Sequence, residues 1–204
     1  PRTPTEDYVK ALATAGVNRA SIGVQSFDDD IQKAINRIQP YAITAQVIGW
    51  LRDNDINDIN MDMMYGLPNQ TVDMVAQETD MAIGLKPVRV ALFGYAHVPW
   101  MKSHMKMIDE DALPDADERW KQFEVASKKF IDAGYIAVGL DHFALPDDEM
   151  AVALESNALH RNFQGYTADS APAMLGFGAS AIGHLPQGYI QNASPLKEYR
   201  DTVS

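Results

Sequence analysis

The stretch of sequence that decides the fold is residues 58–71, DINMDMMYGLPNQT, an apolar run interrupted by two polar residues. Side chains of a β-strand alternate between its faces, so Asn60 and Asp62 would share one face while Met61 and Met63 share the other. A polar face suits the solvent side of an antiparallel sheet. In a parallel sheet covered on both sides, the same face must meet something that needs a carboxylate. The rest of the chain decides between these two cases.

Composition bounds the class of protein and of ligand. The chain has 204 residues, of which 46% are hydrophobic and 22% charged, as in an ordinary globular domain with one sizeable core. Its 17 basic and 28 acidic residues give a net charge of -11, which disfavours nucleic acid and anionic membranes as partners and favours a small molecule. We find no signal peptide and no apolar run of membrane length, and therefore predict a cytoplasmic location. The absence of cysteine excludes disulfides and thiolate-bound metal within this chain.

Predicted strands and helices alternate along the chain. We expect strands at 19–24, 58–65, 88–96 and 135–141, and helices at 4–15, 28–37, 41–54, 71–85, 115–133 and 147–157, with a last helix from Pro195. This order predicts right-handed crossovers and a parallel sheet in the α/β class, which favours the covered-sheet interpretation of Asp62.

Polar residues follow each predicted strand, at the edge where α/β proteins bind ligands. They are Gln25 and Ser26, Asp62 and Tyr65, Tyr95 and His97, and Asp141 and His142. The histidines lack the i, i+4 spacing or the carboxylate neighbours typical of a metal site, so we predict no metal ligand in this chain.

Several segments resemble one known family. NRASIGVQSFDDDIQKAINR (residues 18–37), NMDMMYGLPNQT, FGYAHVP, GLDHFALPDDEMA and LHRNFQGYT are closely similar to the oxygen-independent coproporphyrinogen III oxidases, which are radical S-adenosylmethionine enzymes. GVQSF and YGLPxQT also occur in haem-handling relatives, whereas DHFALPDD and HRNFQGYT are narrower signatures. The resemblance implies a partial (β/α) TIM-type barrel over residues 1–204, with a parallel sheet and outer helices.

The resemblance also implies a reaction and its cofactors. An iron-sulfur cluster reduces S-adenosylmethionine to a 5'-deoxyadenosyl radical, and two propionates of coproporphyrinogen III are decarboxylated to vinyls in haem biosynthesis, with electrons from a donor that the sequence does not identify. The family binds its [4Fe-4S] cluster through CxxxCxxC, which this cysteine-free chain lacks. We therefore expect a catalytically inactive fragment that lacks the amino-terminal cluster-binding part and the carboxy-terminal domain. A cysteine-free paralogue is the alternative.

Site residues carry over from the family position by position. The predicted S-adenosylmethionine contacts are Gln25, Arg37, Asp62, Ala96 and Ile182, the predicted substrate contacts are His142 and Arg161, and no catalytic residue is assigned. A carboxylate can accept hydrogen bonds from the ligand's ammonium or ribose, and a guanidinium can bind its carboxylate. Two structural alternatives stay open: Asp62 could form an ion pair with Arg37, and Gln25 could satisfy loop backbone.

Three functional hypotheses remain from the sequence. The first is part of a radical decarboxylase, the second is a haem-binding or haem-transfer relative, and the third is an α/β module without a cofactor. Haem binding without decarboxylation would identify the second, and lack of affinity for S-adenosylmethionine is the prediction of the third.

Overall fold

The helices and strands are those of a computed structural model, which describes residues 4–203. The chain divides into two units, Pro1–Ala151 and Val152–Ser204, each described by itself; the ends of the predicted 1–204 domain lie outside the described residues. The strands are β1 (Arg19–Gln25), β2 (Asp58–Tyr65), β3 (Arg89–Gly94), β4 (Ile136–Val138), β5 (His142–Ala144), β6 (His160–Asn162), β7 (Gly165–Thr167), β8 (Ile182–Leu185) and β9 (Gly188–Gln191). The α-helices are α1 (Glu6–Thr14), α2 (Asp29–Ala34), α3 (Tyr41–Asp53), α4 (Val72–Gly84), α5 (Ala116–Asp132), α6 (Glu149–Glu155) and α7 (Leu196–Val203), and short 3-10 helices occupy Ser103–Met107 and Glu110–Ala112.

The first unit is built on a five-stranded sheet with the order β1-β2-β3-β5-β4. The pairs β1 with β2 and β2 with β3 are parallel, as the alternation of strands and helices predicts. Long helices join these strands because parallel neighbours require a crossover. The carboxyl ends of β1, β2 and β3 therefore meet at one edge of the sheet, here called the rim.

The two faces of β2 differ as its sequence predicts. Ile59, Met61 and Met63 are at most 2% exposed and belong to the main hydrophobic core, which lies between the sheet and its helices. Asn60 and Asp62 are only partly buried and lie on the opposite face, here called the open face. This sheet is thus covered by helices on one side and presents a polar strand face on the other.

Capping residues fix several helix starts at the predicted positions. The side chain of Asp28 accepts hydrogen bonds from the backbone N–H groups of residues 30 and 31, and Thr71 and Asp115 cap α4 and α5 in the same way. Helix α2 is shorter than predicted, because Asn36 adopts a left-handed conformation at φ 52° and turns the chain before Arg37. The early end of α2 determines where Arg37 lies relative to β1.

The sheet departs from an all-parallel arrangement at one edge. The segment 135–141, predicted as one strand, forms β4 and then a turn at Gly139, whose φ is 64°, and the chain returns as β5. Strand β5 pairs antiparallel with both β3 and β4. The sheet is therefore mixed, although its central pairs are parallel.

The second unit contains two small antiparallel hairpins, β6-β7 and β8-β9, followed by α7. Residues 160–167 form the first hairpin, with Arg161 opposite Tyr166. Gly165 and Gly188 begin the second strand of each hairpin with φ near 140°, a conformation open to glycine. Among the described residues of both units, no helix is long and apolar enough to cross a membrane.

Candidate functional site

Three of the predicted site residues meet around Gly23, near the carboxyl end of β1. Gly23 pairs in the sheet with Asp62, and its carbonyl oxygen accepts a 2.7 Å hydrogen bond from Nη2 of Arg37. A β-carbon on Gly23 would lie only 2.9 Å from that Nη2 and 3.2 Å from Nε2 of Gln25. The absence of a side chain at Gly23 therefore leaves room for the amide of Gln25 and the guanidinium of Arg37 beside the strand position that pairs with Asp62.

Gln25 is held in an unusual backbone conformation. Its φ is 72°, in the left-handed region, and the register between β1 and β2 shifts between Gly23 and Gln25. Such a conformation costs a residue other than glycine about 1 kcal/mol or more, so the surrounding contacts must fix it. The bulge directs the end of β1 away from regular pairing and sets the position of Gln25 at the rim.

Asp62 lies in a small hydrogen-bonded group on the open face. Its Oδ1 accepts a hydrogen bond from Nδ2 of Asn60 at 2.7 Å, and its Oδ2 accepts one from Oγ of Ser21 at 3.4 Å. Nδ2 of Asn60 also donates to Oγ of Ser21 at 3.0 Å. Oδ1 and Oδ2 of Asp62 thus each accept a hydrogen bond from a neutral side chain.

The row of paired residues continues from Asp62 to His142. Asp62 pairs with Ala91, and Ala91 pairs with His142, so the three side chains point to the same face of the sheet. Two strand spacings separate the Cα atoms of Asp62 and His142 by about 10 Å. The ring of His142 contacts Phe93 edge-on at 6.0 Å, and its Nδ1 lies 2.6 Å from Oδ1 of Asp141. Ala91, between the carboxylate and the imidazole, has a small side chain and is 1% exposed.

Ala96 is exposed in the loop that follows β3, next to the buried Tyr95. Burial raises the pKa of Tyr95, so its phenol keeps its proton and can donate to Nδ1 of His97 at 3.0 Å. Nε2 of His97 is then the protonated nitrogen and donates to Oε1 of Glu110, also at 3.0 Å. These contacts anchor the residues on both sides of Ala96.

Arg119, from the first turns of α5, passes between the loops that follow β2 and β3. Its Nη2 donates to the carbonyl of Tyr95 at 2.8 Å. A β-carbon on Gly66 would lie 2.9 Å from Nε of Arg119, and one on Gly94 would lie 3.2 Å from Nη2. Two glycines thus make room for a guanidinium that ties the ends of two strands together.

Several rim residues were not predicted from the sequence. Gly23, Asn60, Arg119 and the buried Glu78 all shape the site. A glycine inside a strand marks a close backbone approach, so Gly23 carried a usable signal. Arg119 and Glu78 carried no such signal, because in the sequence they resemble ordinary polar residues on the surface of a helix.

Ile182 and Arg161 belong to the second unit. Ile182 begins β8, and its carbonyl accepts a 3.3 Å hydrogen bond from Nε2 of Gln164. The guanidinium carbon of Arg161 lies 5.2 Å from the ring centre of Tyr166, a cation–π contact on the β6-β7 hairpin. Both residues therefore have defined local positions within their own unit.

The first unit has groups that fit S-adenosylmethionine. Oδ1 of Asn60 is a buried acceptor without a hydrogen-bond partner, on the same strand face as Asp62. An ammonium or a ribose hydroxyl could donate to these oxygens, and Arg37 could bind a carboxylate. A cavity of about 320 Å³, lined in part by Gly23 and Arg37, gives access to the edge of β1.

An iron-sulfur cluster does not fit the residues of this chain. The sequence has no cysteine, and among residues 4–203 no group of three or more His, Asp or Glu side chains is placed to hold a metal ion. Any cluster ligands must therefore come from outside this sequence.

Comparison with known proteins shows what the chain is similar to. A model of the Radical SAM superfamily matches residues 1–82. The oxygen-independent coproporphyrinogen III oxidase of Bradyrhizobium diazoefficiens is 52% identical over 203 residues, which cover 100% of this chain and 45% of that relative. The protein of Cereibacter sphaeroides named coproporphyrinogen III oxidase, anaerobic 1, is 47% identical over 203 residues, with the same coverage.

A solved structure has the same fold over the whole length of this chain. Coproporphyrinogen III oxidase (HemN) from Escherichia coli, described as a radical SAM enzyme, has a TM-score of 0.96 and 36% identity over 100% of this chain and 47% of its own. This agreement confirms the predicted radical SAM barrel fold. The chain spans about half the length of the curated relatives it matches, 45% for the first two. Over its whole length the chain is similar to the oxygen-independent coproporphyrinogen III oxidases, and its first 82 residues match the Radical SAM superfamily.

Proposed function

We propose that this chain supplies the S-adenosylmethionine-binding rim of an anaerobic coproporphyrinogen III oxidase. The observation that carries the proposal is the meeting of Gln25, Arg37 and Asp62 around Gly23. These are three of the five positions that the sequence assigned to the cofactor. Ala96 and Ile182 complete the proposed set through backbone groups and apolar contact.

Each side chain has a role that follows from its chemistry. Asp62, held by Asn60 and Ser21, would accept hydrogen bonds from the ammonium or ribose of the cofactor. Arg37, whose Nη2 donates to the carbonyl of Gly23, would bind the cofactor's carboxylate. When bound, S-adenosylmethionine supplies the 5'-deoxyadenosyl radical that abstracts hydrogen from the substrate.

The substrate contacts are proposed on charge. Coproporphyrinogen III carries four propionates, and a carboxylate ligand needs cations and hydrogen-bond donors. His142 lies on the same face as Asp62, two strands away, which would bring a propionate near the cofactor. Arg161, from the β6-β7 hairpin, is the second proposed contact. A cytoplasmic location, an external electron donor and a [4Fe-4S] cluster held outside this sequence complete the proposal.

The test uses the product of the complete reading frame, prepared without oxygen and reconstituted with iron and sulfide. We expect it to bind S-adenosylmethionine and to convert coproporphyrinogen III to protoporphyrinogen IX, as measured by equilibrium dialysis and product chromatography. Asp62→Asn should weaken cofactor binding at least tenfold, because a charge-assisted hydrogen bond contributes about 1.5–3 kcal/mol.

Asp80→Asn is the matched control. Asp80 lies on α4, is exposed, and forms a surface ion pair with Lys129. It should leave both binding and turnover unchanged. Haem binding without turnover would instead support the haem-binding relative. Equal affinity in Asp62→Asn and the unmodified protein would refute the assignment of Asp62.

A further inference from the structure

Glu78 is a buried carboxylate that lies beneath the rim and outside the proposed ligand set. It lies on α4 and is 4% exposed. Among residues 4–203, the groups that donate hydrogen bonds to it are neutral. Its Oε1 accepts hydrogen bonds from the hydroxyl of Ser26 and from the backbone N–H groups of Phe27 at 2.6 Å and Asp28 at 3.1 Å. Burial of a carboxylate is costly unless several donors compensate for lost water, and here the donors come from one loop.

That loop carries the cofactor position Gln25. Ser26 follows Gln25 directly, so Glu78 holds the backbone immediately after the left-handed residue at the end of β1. Nε2 of the buried Gln32 also donates to the Ser26 carbonyl at 3.0 Å. Glu78 and Gln32 together hold Ser26 from its side chain and its backbone, which limits how far Gln25 can move.

The second oxygen of Glu78 connects to the loop after β2. Nε2 of Gln70 donates to Oε2 of Glu78 at 2.9 Å and to the carbonyl of Met64 at 3.2 Å. Oε1 of Gln70 accepts a hydrogen bond from the backbone N–H of Leu67 at 3.1 Å. Met64 is two residues after Asp62, so one carboxylate is linked to the strand ends that carry both Gln25 and Asp62.

We infer that Glu78 is a positioning residue for the S-adenosylmethionine site, because it fixes the end of β1 relative to the end of β2. The inference rests on the proposed function. It adds a residue that touches neither cofactor nor substrate but determines the spacing of Gln25 and Asp62. Displacements of about 1 Å at a reacting site can reduce rates by about 100-fold, so such a residue has a large effect for its distance from the ligand.

Glu78→Gln tests this role in the reconstituted product of the complete reading frame. The new amide can keep an oxygen toward Ser26, but its NH2 group then faces the NH2 group of Gln70. One of the two loops must shift. We expect the dissociation constant for S-adenosylmethionine to rise about tenfold, equivalent to the loss of one well-made hydrogen bond.

A second substitution restores the lost complementarity. In the double variant Gln70→Glu with Glu78→Gln, the amide at 78 can again donate to a carboxylate at 70, and that carboxylate still accepts from the Leu67 N–H. We expect the double variant to bind the cofactor at least about threefold more tightly than Glu78→Gln alone. It should not recover fully, because the carbonyl of Met64 loses its side-chain donor.

Thr79→Val is the matched control for stability. Thr79 is the next residue of α4, is fully buried, and donates only to the carbonyl of Val75 in its own helix among its recorded contacts. We expect it to lower the melting temperature while leaving cofactor affinity within about twofold of the unmodified protein. If Glu78→Gln does not fold, Ser26→Ala replaces it, with an expected loss of about threefold in affinity.

The outcomes separate the two proposals. If the unmodified protein binds S-adenosylmethionine and Asp62→Asn does not, but Glu78→Gln or its substitute Ser26→Ala binds normally, the positioning role is refuted and the proposed function stands. If Thr79→Val loses affinity as Glu78→Gln does, the effect is one of general stability and the role is refuted. Absence of binding in the unmodified protein overturns the proposed function itself.

Discussion

Substitution of Gly23 by alanine would test the geometry of the rim most directly. The new β-carbon would lie 2.9 Å from Nη2 of Arg37 and 3.2 Å from Nε2 of Gln25. Comfortable contact requires about 3.5 Å, so the guanidinium must retreat by about 0.6 Å. That movement weakens the 2.7 Å bond from Arg37 to the carbonyl of Gly23.

The expected loss of affinity follows from the bond that Arg37 is proposed to make to the cofactor's carboxylate, because the displaced guanidinium no longer meets that group. A hydrogen bond from a charged donor contributes about 1.5–3 kcal/mol, which corresponds to about 10-fold to 150-fold in a dissociation constant. We expect Gly23→Ala to weaken S-adenosylmethionine binding within this range, measured by equilibrium dialysis on the reconstituted protein. Stability should fall by less than this, because the internal bond from Arg37 to Gly23 is weakened rather than lost, the φ of Gly23 lies outside the left-handed region, and alanine suits a strand better than glycine.

Gly49→Ala is the matched control. Gly49 lies inside α3, and a β-carbon there would meet no atom within 4 Å. This substitution should leave affinity unchanged and stabilise the helix by about 0.5–1 kcal/mol. If Gly23→Ala binds the cofactor as tightly as Gly49→Ala does, the contact between Arg37 and Gly23 is not part of the binding site, and the convergence at the rim has been misinterpreted.

Three further predictions concern stability. Asp148→Asn should lower the free energy of unfolding in urea by about 3 kcal/mol, because it removes the buried carboxylate partner of Arg89 and leaves the half-exposed Glu149, 3.8 Å away, in its place, and a loss below 1 kcal/mol would contradict this. Gly66→Ala should lower the melting temperature more than Gly134→Ala does: both glycines have positive φ, but only at Gly66 would the new β-carbon contact an arginine side chain. Burial raises the pKa of Tyr135 to about 12. Because the unfolded chain loses this proton near pH 10, stability should fall between pH 10 and 12, and urea titrations should show a smaller fall in Tyr135→Phe.

The sequence predicted the central sheet because the pattern and the caps agree there. The alternation in β2 and the caps at Asp28, Thr71 and Asp115 each depend on local chemistry, which the final fold does not override. The turn at Gly139 was missed because the apolar residues on both sides of it read as one continuous strand. A single glycine in an apolar run was the only sign that the chain reverses there.

The ligand-facing side of the rim was more predictable than its support. Gln25 is the last residue of β1, and Asp62 lies three residues before the end of β2. The alternation of side chains along a strand assigns such residues to a face. Arg37 could be named, but not its contact with Gly23, since that contact requires α2 to end early and Asn36 to adopt a left-handed conformation. The position of Arg37 depends on a turn, and the sequence did not predict where α2 would end.

The hidden part of the site consists of buried amides, which sequence patterns place at the surface. Gln32, Gln39, Gln70 and Gln122 are all at most 3% exposed and bond to backbone groups near the strand ends or in the loops that follow them. A glutamine both donates and accepts, so one side chain can satisfy a carbonyl and an N–H of a loop that has no regular pairing. Gln122 does this by accepting from Gly66 N–H and donating to the Gln70 carbonyl.

Replacement of such an amide by leucine would leave two backbone groups unsatisfied, and glutamate would lose one of the two bonds, because its carboxylate oxygen cannot donate to a backbone carbonyl. Loops that bind a ligand must expose side chains and still hold a fixed backbone, and buried amides meet both demands without regular secondary structure. The rim can therefore carry Gln25 in a strained conformation because buried hydrogen bonds of Gln32, Gln39, Gln70 and Glu78 hold the chain beneath it.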